Sequence, residues 1–455
     1  MKIIIVGCGK VGRTIAEQLN DEKHDITIID NRESVINRLS EKLDVMGIDG
    51  DGSSRDILQE AGAVTADLLI AVTDADELNL YICLLASCCG TKNTIARVRK
   101  PVYHKDLQES ESMKSALRIS LMINPEKIAA LEMSRLIRFP SAIEVDSFAR
   151  SNVEIYTFKL QSSDSFLVGK KISELPLVKF NARICDIERN GKVIIPSGDF
   201  VLAPNDKVSM IGTPASAAKV FKKVVDGSVG GKNVMIIGGS RTAYYLADIL
   251  CKSSIKVKII EQNEERCNEL SDLLPDAMII NGDGMNQDLL KAEGLEKMDS
   301  VVTLMNLDEE NIMLSLYIRQ RSRAKCITKI DRLVFDDLVD TLPLDSVIRP
   351  RELTAESIVR YVRAVKNSMG SNVETLYKLN DGRTEALEFK VTRDSRVIST
   401  PLSKLRFKKD LQVACITRKG RIIIPNGDDV IEPDDTVIIV TTHQGLQDLD
   451  DILIR

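Results

Sequence analysis

The sequence contains no tryptophan, and aromatic residues make up only 4% of it. Stacking platforms for single-stranded nucleic acid need aromatic faces, so that class of binder is disfavoured at the outset. A net charge of −5 argues the same way against nonspecific nucleic-acid binding. Histidine occurs three times in 455 residues, with no Cys-x-x-Cys pair and no histidine cluster, so no metal site is expected. Nine cysteines, an odd number without a regular framework, fit a reducing compartment. Cys83, Cys88 and Cys89 read as small core residues of a helix. Apolar runs are short, and none approaches the ~18 residues of a membrane span. The N-terminal run is too quickly followed by glycine to be a signal peptide, so the expected location is the cytoplasm. The densest basic stretch, Arg319, Arg321, Arg323 and Lys325, reads as a solvated helix end. What remains is an ordinary soluble composition, 44% hydrophobic and 28% charged. The length suits about three or four domains.

The chain is organised around Met1 to Asp30. Lys2 to Val6 is a dense apolar, β-branched run, the pattern of a central strand in a parallel sheet. Gly7-Cys8-Gly9-Lys10-Val11-Gly12 follows without a gap, then a helical pattern carrying Ile15, Ala16 and Leu19. A second apolar strand, Ile26 to Ile29, ends at Asp30. Gly7 permits the tight turn, Gly9 presents no Cβ to a pyrophosphate, and Gly12 lets helix and strand pack closely. The N–H groups opening the helix point at phosphates. Asp30 stands where a carboxylate binds both hydroxyls of an adenosine ribose, and it favours NAD over NADP by repelling a 2′-phosphate.

The βαβ rhythm continues. A helix (Ser34 to Leu43), a strand (Val45 to Ile48) and the turn Asp49 to Ser53 lead to a helix (Arg55 to Ala61) and the strand Leu68 to Val72. The loop Thr73-Asp74-Ala75-Asp76-Glu77 precedes a helix with Leu80, Cys83, Leu84 and Leu85 on its apolar side. Strands Thr94 to Val98 and Ile119 to Ile123 complete a Rossmann-like, doubly wound sheet. Asp51, Thr73, Asp74 and Arg97 fall at carboxyl ends of strands, where ligands of such sheets bind and where turn formers and helix caps are equally at home. Pro125 to Phe139 is a linker helix. A small α+β domain follows, with alternation at Val153 to Lys159, a strand turning into a short helix at Leu167 to Leu175, and a hairpin at Gly191 to Asp199.

Then the whole pattern recurs. Asn233 to Ala243 restates the opening stretch, with Gly238 at the first glycine, and Lys256 to Ile260 ends at Glu261 as the second strand ended at Asp30. Asn281-Gly282-Asp283-Gly284, the set Asn306, Asp308, Glu309, Asn311, and Lys329 repeat the turn at Asp51, the loop after Thr73, and Arg97. Pro350 opens a second linker helix, and Gly420 to Asp428 repeats the small-domain hairpin. Ser240 replaces the second glycine and Ala243 the third, so the second site is weakened, altered in ligand, or structural. The expected fold is α/β, a tandem duplication of a Rossmann-like parallel-sheet domain followed by a small α+β domain. Its boundaries are 1–124, a linker 125–150, 151–226, 231–349, a linker 350–372, and 373–455.

These motifs in this order resemble the RCK (regulator of potassium conductance) family, in the doubled form found in cytosolic subunits of Trk-type potassium transporters. The resemblance covers nearly the whole chain. It implies a homotetramer presenting a ring of eight units beneath a membrane-embedded potassium transporter subunit, peripheral on the inner face of the membrane. It also implies binding of NAD(H) and, in some members, ATP or ADP. Carried onto this sequence, Gly7, Cys8, Gly9, Lys10, Val11 and Gly12 line the phosphates, Asp30 the ribose, and Asp51, Thr73, Asp74 and Arg97 the rim. Gly238 and Glu261 stand at the second site. No bond chemistry is implied. Two other readings are a stand-alone NAD(H) or redox sensor and an NAD-dependent dehydrogenase. Against the latter, no His or Lys stands beside a carboxylate as an acid–base pair.

Overall fold

The structure, a computed structural model, describes residues 1–103, 113, 116–139, 142–148, 153–161, 166–224, 231–331, 339, 341–368, 373–380 and 382–454. The expected boundaries at 150, 226 and 372 lie outside the described residues.

The first sheet is built from β1 (Lys2–Val6), α1 (Lys10–Asp21), β2 (Asp25–Asp30), α2 (Glu33–Ser40), β3 (Met46–Asp49), α3 (Arg55–Glu60), β4 (Leu68–Ala71), α4 (Asp76–Cys89), β5 (Asn93–Arg97) and β6 (Leu121–Ile123). Its order is β3-β2-β1-β4-β5-β6, every pair parallel. The order reverses between β1 and β4, which opens a crevice at their carboxyl ends. All four residues of β4 and the last four of β1 are buried, because helices cover both sheet faces. From α1 come Gly12, Ile15, Ala16 and Leu19, and from α4 come Ile82, Cys83 and Ala86. Cys88 departs from its expected core position: the 3.6-residue period turns it outward, and it is exposed.

Next come α5 (Pro125–Arg138), β7 (Ala142–Phe148), β8 (Val153–Lys159), β9 (Ala182–Arg189), β10 (Lys192–Ile194), β11 (Lys207–Gly212) and α6 (Pro214–Val224). They form an antiparallel sheet ordered β10-β9-β11-β8-β7. Leu167 to Leu175 does not make the expected strand. Gly169, at φ +79, turns the chain, leaving one bridge from Lys171 to Val201 and a 3-10 turn at Ile172–Glu174.

The second copy repeats both parts. Its parallel sheet holds β12 (Asn233–Ile237), α7 (Arg241–Lys252), β13 (Lys256–Glu261), α8 (Glu264–Leu273), β14 (Met278–Asn281), α9 (Gln287–Ala292), β15 (Ser300–Thr303), α10 (Asp308–Arg321), β16 (Lys325–Lys329) and β17 (Ser346–Ile348), in the order β14-β13-β12-β15-β16-β17. After α11 (Pro350–Ser368) come β18 (Val373–Leu379), β19 (Thr384–Lys390), β20 (Leu411–Arg418), β21 (Arg421–Ile423) and β22 (Thr436–Thr441), ordered β18-β19-β22-β20-β21. The basic stretch is not one solvated helix end. Arg319 and Arg321 close α10, whereas Lys325 opens β16, where burial pushes its pKa down to about 8 against the pull of Asp345.

The chain divides into two compact units, Met1–Met133 with Lys232–Val359, and Ser134–Gly231 with Arg360–Arg455. Like therefore packs with like. In the second unit, β8 is buried at every position except Lys159, and β19 at every position except Lys390. Tyr156 and Phe158 pack with Phe139 and Phe221 on one side of their sheet, while Val153 and Ile155 join Ala386, Ile438 and Val440 of the second copy. The alternation at Val153 to Lys159 thus separates two apolar layers rather than core from water. Among the described residues, no helix is long and apolar enough to cross a membrane.

Candidate functional site

The glycine turn joins β1 to α1. Gly7 has φ +93, and a Cβ there would stand 2.9 Å from the Thr73 nitrogen, so both conformation and space require glycine. A Cβ on Gly12 would stand 2.0 Å from the Gly7 carbonyl oxygen. Gly9 is different. It has φ −65, open to any residue, and a Cβ on it would meet nothing within 4 Å. The protein's own packing does not require glycine there. No side chain caps α1, so its amino end and partial positive charge face the crevice.

Asp30, at the end of β2, is 6% exposed. Its Oδ2 accepts the Cys8 N–H at 2.8 Å, and its Oδ1 accepts the Arg32 N–H at 3.1 Å. The Arg32 guanidinium closes on both oxygens, Nε to Oδ1 at 2.9 Å and Nη2 to Oδ2 at 3.1 Å. Burial pushes the carboxyl up, but the hydrogen bonds from Arg32 and Cys8 and the guanidinium charge outweigh it and hold Asp30 below the usual aspartate range. Burial first, and then the Asp30 charge, push the Cys8 thiol up to about 12. Cys8 is therefore a neutral packing residue whose backbone positions the carboxylate.

The loop after β4 is fixed by Asn79, which is fully buried. Asn79 Oδ1 accepts the Thr73 N–H at 2.8 Å and its hydroxyl at 2.7 Å, while Nδ2 donates to the carbonyls of Thr73 and Arg97. Asp76 likewise accepts the N–H groups of Arg99 and Lys100. Asp74 is left exposed on the rim, 3.3 Å from Arg97 Nη2. The Arg97 guanidinium also donates to the Thr73 carbonyl. Only 7% of Arg97 is exposed, and its Nε has no hydrogen-bond partner. Asp51 accepts from Ser53 N and Oγ and so shapes its own turn.

These parts meet in a cavity of about 770 Å³ within the first unit. From the first copy it is lined by Gly9, Lys10, Val11, Arg32, Asp74, Arg97, Arg99 and Glu126, and from the second by Ser240, Arg241, Thr242, Lys329, Asp331 and Arg351 among others. Seven cationic side chains thus face three carboxylates, and the amino ends of α1 and α7 both open on it. The copies are held together beside it by Asn124 Nδ2 donating to Tyr245 Oη at 3.0 Å. Gly7, Cys8, Gly12, Asp30, Asp51 and Thr73 support this wall without lining it.

The second sheet carries its own crevice of about 620 Å³, lined by Gly238, Gly239, Ser240, Glu261, Arg266, Asp283 and Glu310 among others. Glu261 accepts the N–H groups of Gly239 at 2.6 Å and Asn263 at 2.8 Å, the bonds that Asp30 makes, without a guanidinium clasping it. Ser240 caps α7, its Oγ accepting from Ala243 N at 3.3 Å. The side chain that replaces Gly9 thereby takes a donor that the first copy leaves to other acceptors. Asn311 repeats three of the four bonds of Asn79, tying Met305 to the Lys329 carbonyl; the fourth needs the Thr73 hydroxyl, which Met305 lacks.

Sequence reasoning missed Arg32, Arg99, Arg241 and Arg351. Arg32 had a signal: the matching residue, Asn263, caps α8, whereas Arg32 does not cap α2. Arg241 and Arg351 depend on how the two copies pack, which no local pattern records.

The TrkA-N domain model matches residues 3–118 and 234–350, and the TrkA-C domain model matches residues 155–225 and 386–454. The Trk system potassium uptake protein TrkA homolog 1 of Methanosarcina mazei is 32% identical over 459 residues, 99% of either chain. The Trk system potassium uptake protein TrkA of Vibrio alginolyticus is 32% identical, covering 98% of this chain and 96% of its own. A solved structure described as the GsuK channel bound to NAD superimposes with a TM-score of 0.63 at 18% identity, covering 97% of this chain and 76% of that one, a likeness of fold. With both domain models matched twice in alternation, and relatives above 30% identity along nearly its whole length, the chain belongs to the TrkA family.

Proposed function

We propose that this chain is the nucleotide-binding regulatory subunit of a Trk-type potassium uptake system, acting from the cytoplasmic face of the membrane on a membrane-embedded partner. Family membership supports the transport role. The observation that carries the ligand is Arg97, a guanidinium whose charge is disfavoured first by burial and then by Arg99, and only partly compensated by the exposed Asp74. A charge so placed is relieved by an incoming anion. The amino end of α1 opens on the same cavity, so one diphosphate reaches both. NAD(H) fits this arrangement, and the excess of cations suits ATP or ADP as well. In this reading Gly9, Lys10 and Val11 meet the phosphates, and Asp74 and Arg97 form the rim. Gly7, Gly12, Asp51 and Thr73 shape the wall behind, and Asp30 takes a ribose once the Arg32 guanidinium swings off it. Glu261 and Gly238 form a second, weaker site.

No bond is made or broken in this role. The ligand acts by binding two conformations of a homotetrameric ring unequally. Purified chain should bind NAD or NADH without consuming either, and should co-purify with a detergent-solubilised Trk-type membrane subunit. Steady NADH turnover with a small alcohol, hydroxy acid or aldehyde would instead make it a dehydrogenase.

Arg241 belongs to the second copy yet lines the first cavity. Arg241→Gln should weaken ADP or NAD binding by about threefold to tenfold, the loss of one partly solvated charge-assisted contact. It should also flatten the salt dependence of binding. Calorimetry at low and high salt reads both, and unchanged affinity at low salt would place Arg241 outside the site.

A further inference from the structure

Asp186 lies on β9 in the second unit and has no exposed surface. Its Oδ1 accepts the Nδ2–H of Asn380 at 2.8 Å. Asn380, 3% exposed, follows β18 in the second small domain, so this bond joins the two copies. The other oxygen of each planar group, Asp186 Oδ2 and Asn380 Oδ1, is buried without a hydrogen-bond partner. Two bare acceptors on paired groups are what an ionised carboxylate leaves behind, and leaving them so is costly in a dry interface. One proton satisfies both.

We propose that Asp186 is a neutral carboxylic acid in the folded chain, its Oδ2–H donated to Asn380 Oδ1, closing a ring of two hydrogen bonds that latches the small domains together. The surrounding groups agree. No ion pair to Asp186 occurs among the described residues. Lys207 on β11 favours the charged form from a distance, and Glu188 on β9 opposes it while being held by Arg383 at 2.8 Å. Ser209, across the ladder on β11, has its hydroxyl near the carboxyl and favours the charged form, but burial outweighs it. From the second copy, Cys415 on β20 stays neutral, its thiol pushed up to about 12 by burial, and Glu388 on β19 is held by the Thr375 hydroxyl. Cys185, next to Asp186, stays neutral, its thiol raised first by burial. Arg183 is committed to the carbonyls of Val413 and Pro425.

Burial raises the Asp186 carboxyl above its ordinary value of 3.8. The latch is therefore fully present below that value and is lost as pH rises through the folded-state value. The second unit thus carries a proton-dependent contact between its two sheets.

Infrared difference spectroscopy of the full chain at neutral pH should show a protonated-carboxyl stretch that Asp186→Asn removes. Asn at 186 keeps both hydrogen bonds as an amide–amide pair without a proton. Its melting temperature should match or exceed the wild type at alkaline pH, with a flatter pH dependence. Asn380→Asp, which makes two carboxyls share one proton, should steepen that dependence. Absence of the band, as for a carboxylate bound to a buried cation or water, would overturn the proposal. So would an Asp186→Asn chain that misfolds or melts well below wild type at every pH, since a neutral isostere should be accepted.

Discussion

An alanine at position 12 is expected to loosen dinucleotide binding by between about tenfold and a hundredfold, the equivalent of inserting a methyl into a packed contact at a cost of about 1–3 kcal/mol. The added Cβ would stand 2.0 Å from the Gly7 carbonyl oxygen, which is backbone and has no rotamer to yield. Gly7 is itself fixed against Thr73 and Val72. Either α1 lifts from the sheet or the turn deforms, and each moves the helix's amino end away from the phosphates it should meet. The second copy already has a methyl here: Ala243 is fully buried, and its helix is capped by Ser240. The reverse change, Ala243→Gly, should therefore leave binding at the first site unchanged. Calorimetry with NAD on both variants, with melting curves alongside, checks the contrast. A Gly12→Ala chain that binds NAD like wild type would show that helix position and phosphate binding are not coupled.

What could be read from the sequence follows the reach of local rules. The turn at Gly7 and the close approach at Gly12 are backbone requirements, legible from residue type and spacing. The polar strut was visible only as a repeat: Asn79 and Asn311 recur at equivalent positions, and the bonds that explain the recurrence emerge once β4, α4 and β5 are assembled. The carboxylate at Asp30 was legible, whereas its clasp by Arg32 left only a faint signal, an arginine where the second copy has the capping Asn263. Packing between the copies lay further out of reach. Val153 to Lys159 alternates like many strands, yet the second sheet covers its other face. Lys325 looked like part of a basic helix end because the break after Arg321 is set by Ser322, whose hydroxyl turns the chain into β16 by accepting the Ala324 N–H.

Asp30→Ala should weaken NAD binding by about tenfold or more, through loss of charge-assisted bonds to the ribose hydroxyls. The substitution should also cost folding stability. The Cys8 N–H, now bonded to Oδ2 at 2.8 Å, would be left buried and unpaired, at a cost of about 1–3 kcal/mol. The lost pairing with Arg32 adds little, since the Arg32 side chain is 57% exposed and solvent screens it. The pH dependence follows from the direction of the Asp30 shift. Its folded-state pKa is depressed, so its stabilisation is fully present above the unfolded aspartate value of about 3.9 and is lost as pH falls through the lower folded one. Melting curves of wild type and mutant should differ most at neutral pH and draw closer in acid, where the loss of the Cys8 N–H acceptor remains. Cofactor preference should shift too. A 2′-phosphate meets carboxylate and guanidinium together in the wild type, and the guanidinium alone in the mutant, so NADP should lose less affinity than NAD or gain some. Titrating both cofactors decides this: equal losses for NAD and NADP would mean that neither Asp30 nor Arg32 touches the adenosine ribose.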